Sequence, residues 1–475
     1  MDTETRSQRV TREDLLMFVN ACFACTGQKE FYSDGHGQSV SIGFLHSYIR
    51  VNYRRLYARM LACGVNHFNQ AAIVENLLAS GKDTAAVVRT EENALVTRAL
   101  RALPTHRAMH LLEALATRGV NNRRTRAITQ QFLSTPEVRD FRAVKYRRSF
   151  TRAAVHTHMR FAGELEGFLV KGWRERRFVT PLFESFRRAH YAAEAIYDLP
   201  YTIAEGLAQK HGVKRELFLE RIESRLTTNE RLRLQDASRG ALGAAYDVEW
   251  HKLPLTRLAS YALSFSTHER AERAAELEQG LARAATRATI RAGVRLGRVA
   301  CVLDKSYSSA GSRDKRSRPL AVALGVSAYL RAAAADYRAF WTHPFDVAEP
   351  EVMVTPRGST DLATPILAAL AWQPDVLVIV SDGFDNDPPH LAGQILEQGM
   401  RLAPACFMLH VNPVYDTESF TPRALSPRVA TMGIRDAEDI PTLLAFARFA
   451  RGAGSVTELE AHLATRVDAF LEVAS

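Results

Sequence analysis

Three short segments carry oxygen donors in a pattern that suits a hard divalent cation. Asp304-Lys305-Ser306-Tyr307-Ser308 presents a carboxylate and two hydroxyls at alternate positions, Gly358-Ser359-Thr360-Asp361 adds the hydroxyl of Thr360, and Ser381-Asp382-Gly383 adds a second carboxylate. Magnesium takes about six oxygens near octahedral geometry, at roughly 2.0 to 2.1 Å, and keeps several waters. A donor set with few direct carboxylates therefore fits Mg2+, with Mn2+ as the alternative. The expected metal-site residues are Asp304, Ser306, Ser308, Thr360 and Asp382. Lys305 is a departure from such a pattern, because an ammonium aimed inward would weaken the hold on a cation.

A second chemistry is the neutralisation of phosphate. Between Arg123 and Arg188 the chain has 16 basic and 6 acidic residues. Twelve of the basic residues form three groups: Arg123, Arg124 and Arg126; then Arg142, Lys145, Arg147, Arg148 and Arg152; then Lys171, Arg174, Arg176 and Arg177 around Trp173. Read as one helix, the second group puts Lys145, Arg148 and Arg152 on one face, with Phe141, Val144 and Val155 nearer another. Such a cationic row contacts phosphates without reading sequence, and Trp173 adds a surface on which a base could stack.

The elements that must position the oxygen donors follow from apolar runs. Val299 to Leu303, Val376 to Val380 and Cys406 to Val411 read as buried strands, and Phe340-Trp341 as part of a short one. Helical segments alternate with them: Pro319 to Ala335, Leu362 to Ala371, His390 to Leu402 and Ala437 to Phe449, with Val456 to Val473 as a terminal helix. This alternation predicts a parallel sheet covered on both faces, with Asp304 and Asp382 at the carboxyl ends of strands. Residues 1–297 read instead as helix after helix. Phe68 to Leu78, Glu92 to Leu103 and Arg107 to Ala116 repeat apolar residues at helical spacing, Thr11 with Asp14 suggests a capping start, and His268 to Arg298 reads as one long helix. Breaks fall at Gly64, Gly81, Pro104, Gly119-Val120-Asn121-Asn122 and Pro136.

The expected organisation is multidomain: an all-α, HEAT-like helical-repeat module over 1–297 and an α/β, doubly wound, Rossmann-like domain over 298–475. The charge changes with the architecture. From Val299 to Ser475 there are 15 basic and 21 acidic residues, leaving 47 and 31 before them, so the two portions carry −6 and +16 of the net +10. A basic module joined to an acidic one suggests a polyanion partner for the first and cation chemistry for the second. Five cysteines in 475 residues cannot form a disulfide framework, and the opening residues lack the apolar stretch of a secretory signal, so a cytoplasmic location is expected. The longest apolar runs fall far short of the roughly 20 residues that span a bilayer, which predicts no membrane insertion.

The DxSxS triad, the separate Thr360 and the separate Asp382 resemble the von Willebrand factor A fold with its metal-ion-dependent adhesion site. That resemblance implies that the serines and threonine contact the metal, that the aspartates act directly or through water, and that an acidic group of a partner can take an open position. A long helical array followed by one such domain is similar to the Ro autoantigen family and its bacterial relatives, whose helical part is the TROVE module. Leu15 to Tyr32, with Gly27, Phe31 and Tyr32, together with Phe68 to Gly81, Glu92 to Leu103 and Leu253-Pro254-Leu255-Thr256, carry the likeness in the helical portion. The resemblance implies a helical ring with a positive central hole for single-stranded ends of noncoding or misfolded RNA, and an outer basic surface for a Y-like scaffold RNA. It also implies a monomeric protein that presents RNA to a nuclease or RNA-repair enzyme.

Other signals read as structural. Cys22 and Cys25 have metal or redox spacing but no second pair, and they sit among Phe18, Ala21 and Phe23, so a buried helix face is expected. Gly35-His36-Gly37 reads as a turn. No nucleophile stands at usable spacing from a base, so no enzymatic activity is expected. The alternative to RNA binding is a protein-binding adaptor whose A domain works with a MoxR-type AAA+ ATPase.

Overall fold

Short β-branched and apolar runs pair into one parallel sheet in the computed structural model. It describes residues 6–25, 35–81, 84–248, 250–312, 316–343, 349–414, 421–450 and 456–472; Gly27, Phe31 and Tyr32 lie outside the described residues. The strands are β1 (Leu296–Leu303), β2 (Ala334–Trp341), β3 (Val376–Val380), β4 (Phe407–Asn412) and β5 (Ala430–Gly433). Their order is β2-β1-β3-β4-β5, and Leu303 pairs with both Trp341 and Val380. This is a doubly wound order in which the winding reverses between β1 and β3, and a crevice opens at such a switch point outside the carboxyl ends of the strands.

All five residues of β3 and the last five of β1 are buried, as expected of strands covered on both faces. Val302, Leu377, Ile379 and Met408 form one core with Ile366 and Leu396 from helices Ala363–Ala371 and Leu391–Leu402. Helix Arg318–Ala333 is buried along nearly its whole length and leads directly into β2. The four-residue β5, absent from the sequence-based expectation, is completed by a side chain. Asn20 donates from Nδ2 to the Thr431 carbonyl at 3.1 Å and accepts the Gly433 N–H at 2.9 Å.

The chain forms two compact units, one of Met1–Gln70 with Trp250–Ser475 and one of Ala71–Glu249. This differs from the division expected at 297/298, which falls inside β1. The reason is burial: helix Arg6–Ala24 packs on β5, and helices Leu255–Leu263 and Ala274–Ala292 pack on helix Arg318–Ala333, so these helices share the core of the sheet. Gly325 permits the approach, since a Cβ there would sit 3.2 Å from Thr256 Oγ1. The long helix expected over 268–298 is two helices, Thr267–Glu272 and Ala274–Ala292, interrupted at Arg273 and closed by left-handed Gly293 with φ +64°.

Thr11 and Asp14 lie inside helix Arg6–Ala24 rather than capping it. Asp14 accepts hydrogen bonds from Tyr48 Oη at 2.8 Å and Tyr53 Oη at 3.0 Å. Gly35, His36 and Gly37 open helix Gly35–Asn52 and are not a turn. In the second unit, helices Ala86–Ala102, Thr105–Thr117 and Arg123–Leu133 stop and start where Pro104 and the Gly119 to Asn122 segment were expected to break them. Asn122 caps the last of these, its Oδ1 accepting the Thr125 N–H at 2.9 Å. Among the described residues no helix is long and apolar enough to cross a membrane.

Candidate functional site

The sheet delivers Asp304 and Asp382 to the switch point from β1 and β3. Asp304 is hydrogen-bonded into the sheet by its own N–H to the Val380 carbonyl at 3.0 Å, and Lys305 N–H donates to Thr342 Oγ1 at 2.9 Å. A turn follows in which Ser306 N–H donates to Asp304 Oδ1 at 2.8 Å and the hydroxyls of Ser306 and Ser308 stand 3.1 Å apart. Against the raising effect of burial, Ser308 lowers the Asp382 carboxyl, and Phe384 N–H donates to Asp382 Oδ1 at 3.1 Å. The loop carrying Thr360 is tied to the same end: Tyr307 N–H donates to the Gly358 carbonyl, and the N–H groups of Asn386 and Asp387 donate to the Thr360 carbonyl, each at 3.2 Å. Gly383 is needed here, because at φ +80° any Cβ would lie 2.5 Å from the Arg423 carbonyl oxygen.

Burial and the neighbouring charge of Asp382 push the Asp304 carboxyl up to about 6, and burial likewise raises Asp382. Two buried acids with hydroxyls around them make an oxygen cluster in which added positive charge would be favourable. Asp304, Ser306, Ser308 and Asp382 offer the oxygen donors that suit a hard divalent cation, and Thr360 stands on the loop tied to the same end of the sheet. Lys305 is buried, at 1% exposed, and burial with the nearby Arg357 lowers its ammonium to about 8. Glu349 acts in the opposite direction and raises it.

The basic residues separate into two classes. Several are parts of the interior. Arg124 Nη1 lies 2.5 Å from Glu92 Oε1, and Glu92 is fully buried. Arg142 is buried, donates to the Phe132 carbonyl at 2.5 Å and lies over the Phe132 ring, with burial lowering its guanidinium to about 10. Lys145 sits 3.8 Å from Glu230. Arg147 donates through Nη2 to the carbonyls of Leu169 and Val170 at 2.9 and 3.3 Å, capping helix Glu164–Lys171. Gly172 leaves room for it, since a Cβ there would come within 2.6 Å of Arg147 Nη1.

The expected single face of Lys145, Arg148 and Arg152 is not formed. Helix Pro136–Lys145 ends at Tyr146, with φ −124° and ψ 36°, and helix Arg147–His156 begins anew, so Lys145 belongs to a different helix. Val155, expected nearer an apolar face, is 62% exposed. Arg123, Arg148, Arg152, Lys171, Arg174, Arg176 and Arg177 are exposed, and Arg126 is partly so. Arg152 pairs with Glu113 at 3.3 Å and Lys171 with Glu175 at 3.0 Å, both in solvent. Trp173 stacks on His190 with centroids 5.0 Å apart, and the guanidinium of Arg174 lies 4.7 Å from its ring.

Arg147, Arg148 and Arg152 line one open groove of about 700 Å3. This chain is similar to a solved Ro protein. That structure, the crystal structure of Deinococcus radiodurans RO (RSR) protein, shares 14% sequence identity, aligns with a TM-score of 0.42, and is matched over 92% of this chain and 99% of that one. No family model and no curated protein matches the chain.

The groove includes side chains that composition alone did not mark. Ala116, Thr151, Val155 and His156 line it beside the arginines. His156 Nε2 is 2.9 Å from the Val120 carbonyl, and Ser149 Oγ donates to Glu113 Oε2 at 3.1 Å.

Proposed function

We propose that this chain is a non-enzymatic RNA-binding protein of the Ro type, which holds noncoding or misfolded RNA for quality control, processing or repair. The observation that carries the reading is the open groove beside helix Arg147–His156, with Arg148 and Arg152 exposed along it. Its unit, 71–249, has 30 basic and 21 acidic residues, a net +9, whereas the remainder of the chain has 32 and 31. A phosphate backbone entering the groove gains charge-assisted contacts that an exposed Arg152–Glu113 pair can exchange into at little cost. The likeness of the sequence to the TROVE module supports the same reading.

At the sheet, Asp304, Ser306, Ser308, Thr360 and Asp382 would hold one Mg2+ or Mn2+. A bound ion would supply an open coordination position for an acidic group of a partner. The protein's own contribution is to bury the two carboxylates at the switch point and to orient the hydroxyls through the Ser306 and Phe384 backbone bonds.

The test is the double substitution Arg148→Gln with Arg152→Gln, which keeps helix propensity and removes two cations. Affinity for a structured RNA with a single-stranded end should fall, and the slope of log affinity against log salt should drop by about 1.5, at roughly 0.7 to 0.9 for each phosphate no longer neutralised. Wild-type affinity and slope in the double variant would place RNA elsewhere or nowhere.

A further inference from the structure

Trp173 is the ring that the sequence marks for stacking, and the fold gives it other neighbours. It is half-buried, and His190 stacks on it with 5.0 Å between centroids and 16° between planes. The guanidinium of Arg174 lies 4.7 Å from its ring centre and Lys210 Nζ lies 5.6 Å from it. Lys210 is held there by His190, donating to its carbonyl at 3.3 Å and to its Nδ1 at 3.4 Å. Burial, with Lys210 and other nearby cations, lowers His190 to about 4, so it adds a neutral ring to the stack.

The ring that reaches solvent is Tyr191. It follows helix Pro181–Ala189, is 63% exposed, and meets Trp173 edge-on, with centroids 5.8 Å apart and planes at 74°. Its N–H donates to the Arg188 carbonyl at 2.9 Å. The Arg187 guanidinium, forked onto Glu184 at 2.6 and 2.9 Å, lies 6.0 Å from its centroid. Packing thus positions Tyr191 while leaving most of it uncovered, and a tyrosine held in this way loses little side-chain freedom when a flat ligand covers it.

The charges beside this ring are positive. Arg174, Arg188 and Lys210 are exposed, and among the described residues none of the three pairs with a carboxylate. The acids close by in sequence, Glu175 and Glu184, are taken up by Lys171 and Arg187. The cluster is also continuous with the groove of helix Arg147–His156. Gly172, directly before Trp173, lies so close to Arg147 that a Cβ there would come within 2.6 Å of Nη1, and Arg147 lines the groove.

An exposed aromatic face bordered by cations suits an unpaired nucleobase, which offers its own flat face to the ring while its phosphates meet the cations. Duplex RNA keeps its bases stacked on one another and presents backbone and groove edges instead. An acidic peptide would satisfy the cations without requiring the ring. On the RNA reading proposed above, on which this rests, we infer that Tyr191 is a stacking platform for an unpaired base of an RNA whose backbone lies in the adjoining groove. The bound segment is therefore single-stranded where it passes Tyr191.

The experiment is fluorescence-anisotropy titration of the full chain over a range of salt, with a labelled short oligoadenylate, an oligouridylate of the same length and a blunt RNA duplex as probes. Tyr191→Ala should weaken oligoadenylate by about tenfold, within what one lost base stack costs, and leave the slope of log affinity against log salt unchanged, because no charge is removed. Oligouridylate, with its smaller base, should lose less, and the duplex nothing. Tyr191→Phe keeps the ring and should bind as the wild type does; with the melting temperatures of both variants it separates loss of the stack from loss of the fold. Arg148→Gln with Arg152→Gln should act differently, lowering the slope for every probe. Wild-type oligoadenylate affinity in Tyr191→Ala, an equal loss for the duplex, or a loss that Tyr191→Phe shares would overturn the platform while leaving RNA binding in place. Displacement of oligoadenylate by oligoglutamate but not by oligouridylate would overturn it in favour of an acidic peptide. A wild type that binds none of the three probes would overturn the RNA reading itself, and the platform with it.

Discussion

Asp304 shows how a single position can be legible in sequence and yet acquire its character from the fold. Its place after an apolar run marks it as a strand-end ligand candidate, but its raised carboxyl depends on burial and on Asp382, 78 positions away in the chain. Replacing Asp304 and Ser306 together by Ala should leave the sheet intact and abolish stabilisation by Mg2+ or Mn2+. In the wild type, a site filled at a hundredfold excess over Kd adds about 2.7 kcal/mol to stability. Cation-dependent melting that persists unchanged in the double variant would remove these residues from the metal site. Arg124, Arg142 and Arg147 teach the opposite lesson. A guanidinium in a basic run looks solvated in sequence, whereas here each is engaged by a buried carboxylate or by main-chain carbonyls.

At the scale of elements, helix ends are where distant residues decide the outcome. The last carbonyls at the end of helix Arg6–Ala24 are satisfied from the start of helix His67–Ala79: Asn66 Nδ2, just before that helix, donates to the carbonyls of Cys22 and Cys25, each at 2.7 Å, and Asn69 Nδ2 within it donates to the same two at 3.1 and 2.7 Å. Buried carbonyls left without donors cost about 1 to 3 kcal/mol. Asn66→Ala should therefore lower unfolding free energy by about 2 kcal/mol in a denaturant titration, and a change under a few tenths would show that Asn69 alone suffices. This capping also accounts for the Cys22 and Cys25 spacing. Both thiols are buried, and burial raises the Cys22 thiol well above its ordinary value, so the pair behaves as apolar packing. The break at Tyr146 belongs to the same scale, since a run of ten helical residues on either side gives no composition signal for a stop between them.

Over the whole molecule, charge follows the compact units rather than the halves of the chain. The division at 298/299 assigns +16 and −6, but the segments 1–70 and 250–298, with 17 basic and 10 acidic residues, belong to the unit that holds the sheet. That leaves +9 on 71–249 and +1 on the rest. Ultraviolet crosslinking of bound RNA followed by peptide mapping should accordingly recover most crosslinks between 71 and 249. An equal yield from peptides of 296–472 would contradict the assignment of RNA to the helical unit.

The alternation of apolar strands with helices after Val299, and the alignment of Asp304 and Asp382 with strand ends, followed from the sequence by itself, because burial of a parallel sheet on both faces demands long apolar runs that local reading detects. So did the positions of the helices around Pro104 and Asn122, where backbone chemistry forces a stop. Tertiary structure alone decided that β5 exists, that helices Arg6–Ala24, Leu255–Leu263 and Ala274–Ala292 share the core of the sheet, and which arginines reach solvent. β5 is four residues long and is stabilised by Asn20 from over 400 positions away. The arginines have the same side chain whether they bind a carbonyl, a buried glutamate or water, and only the packing of neighbouring helices separates those fates.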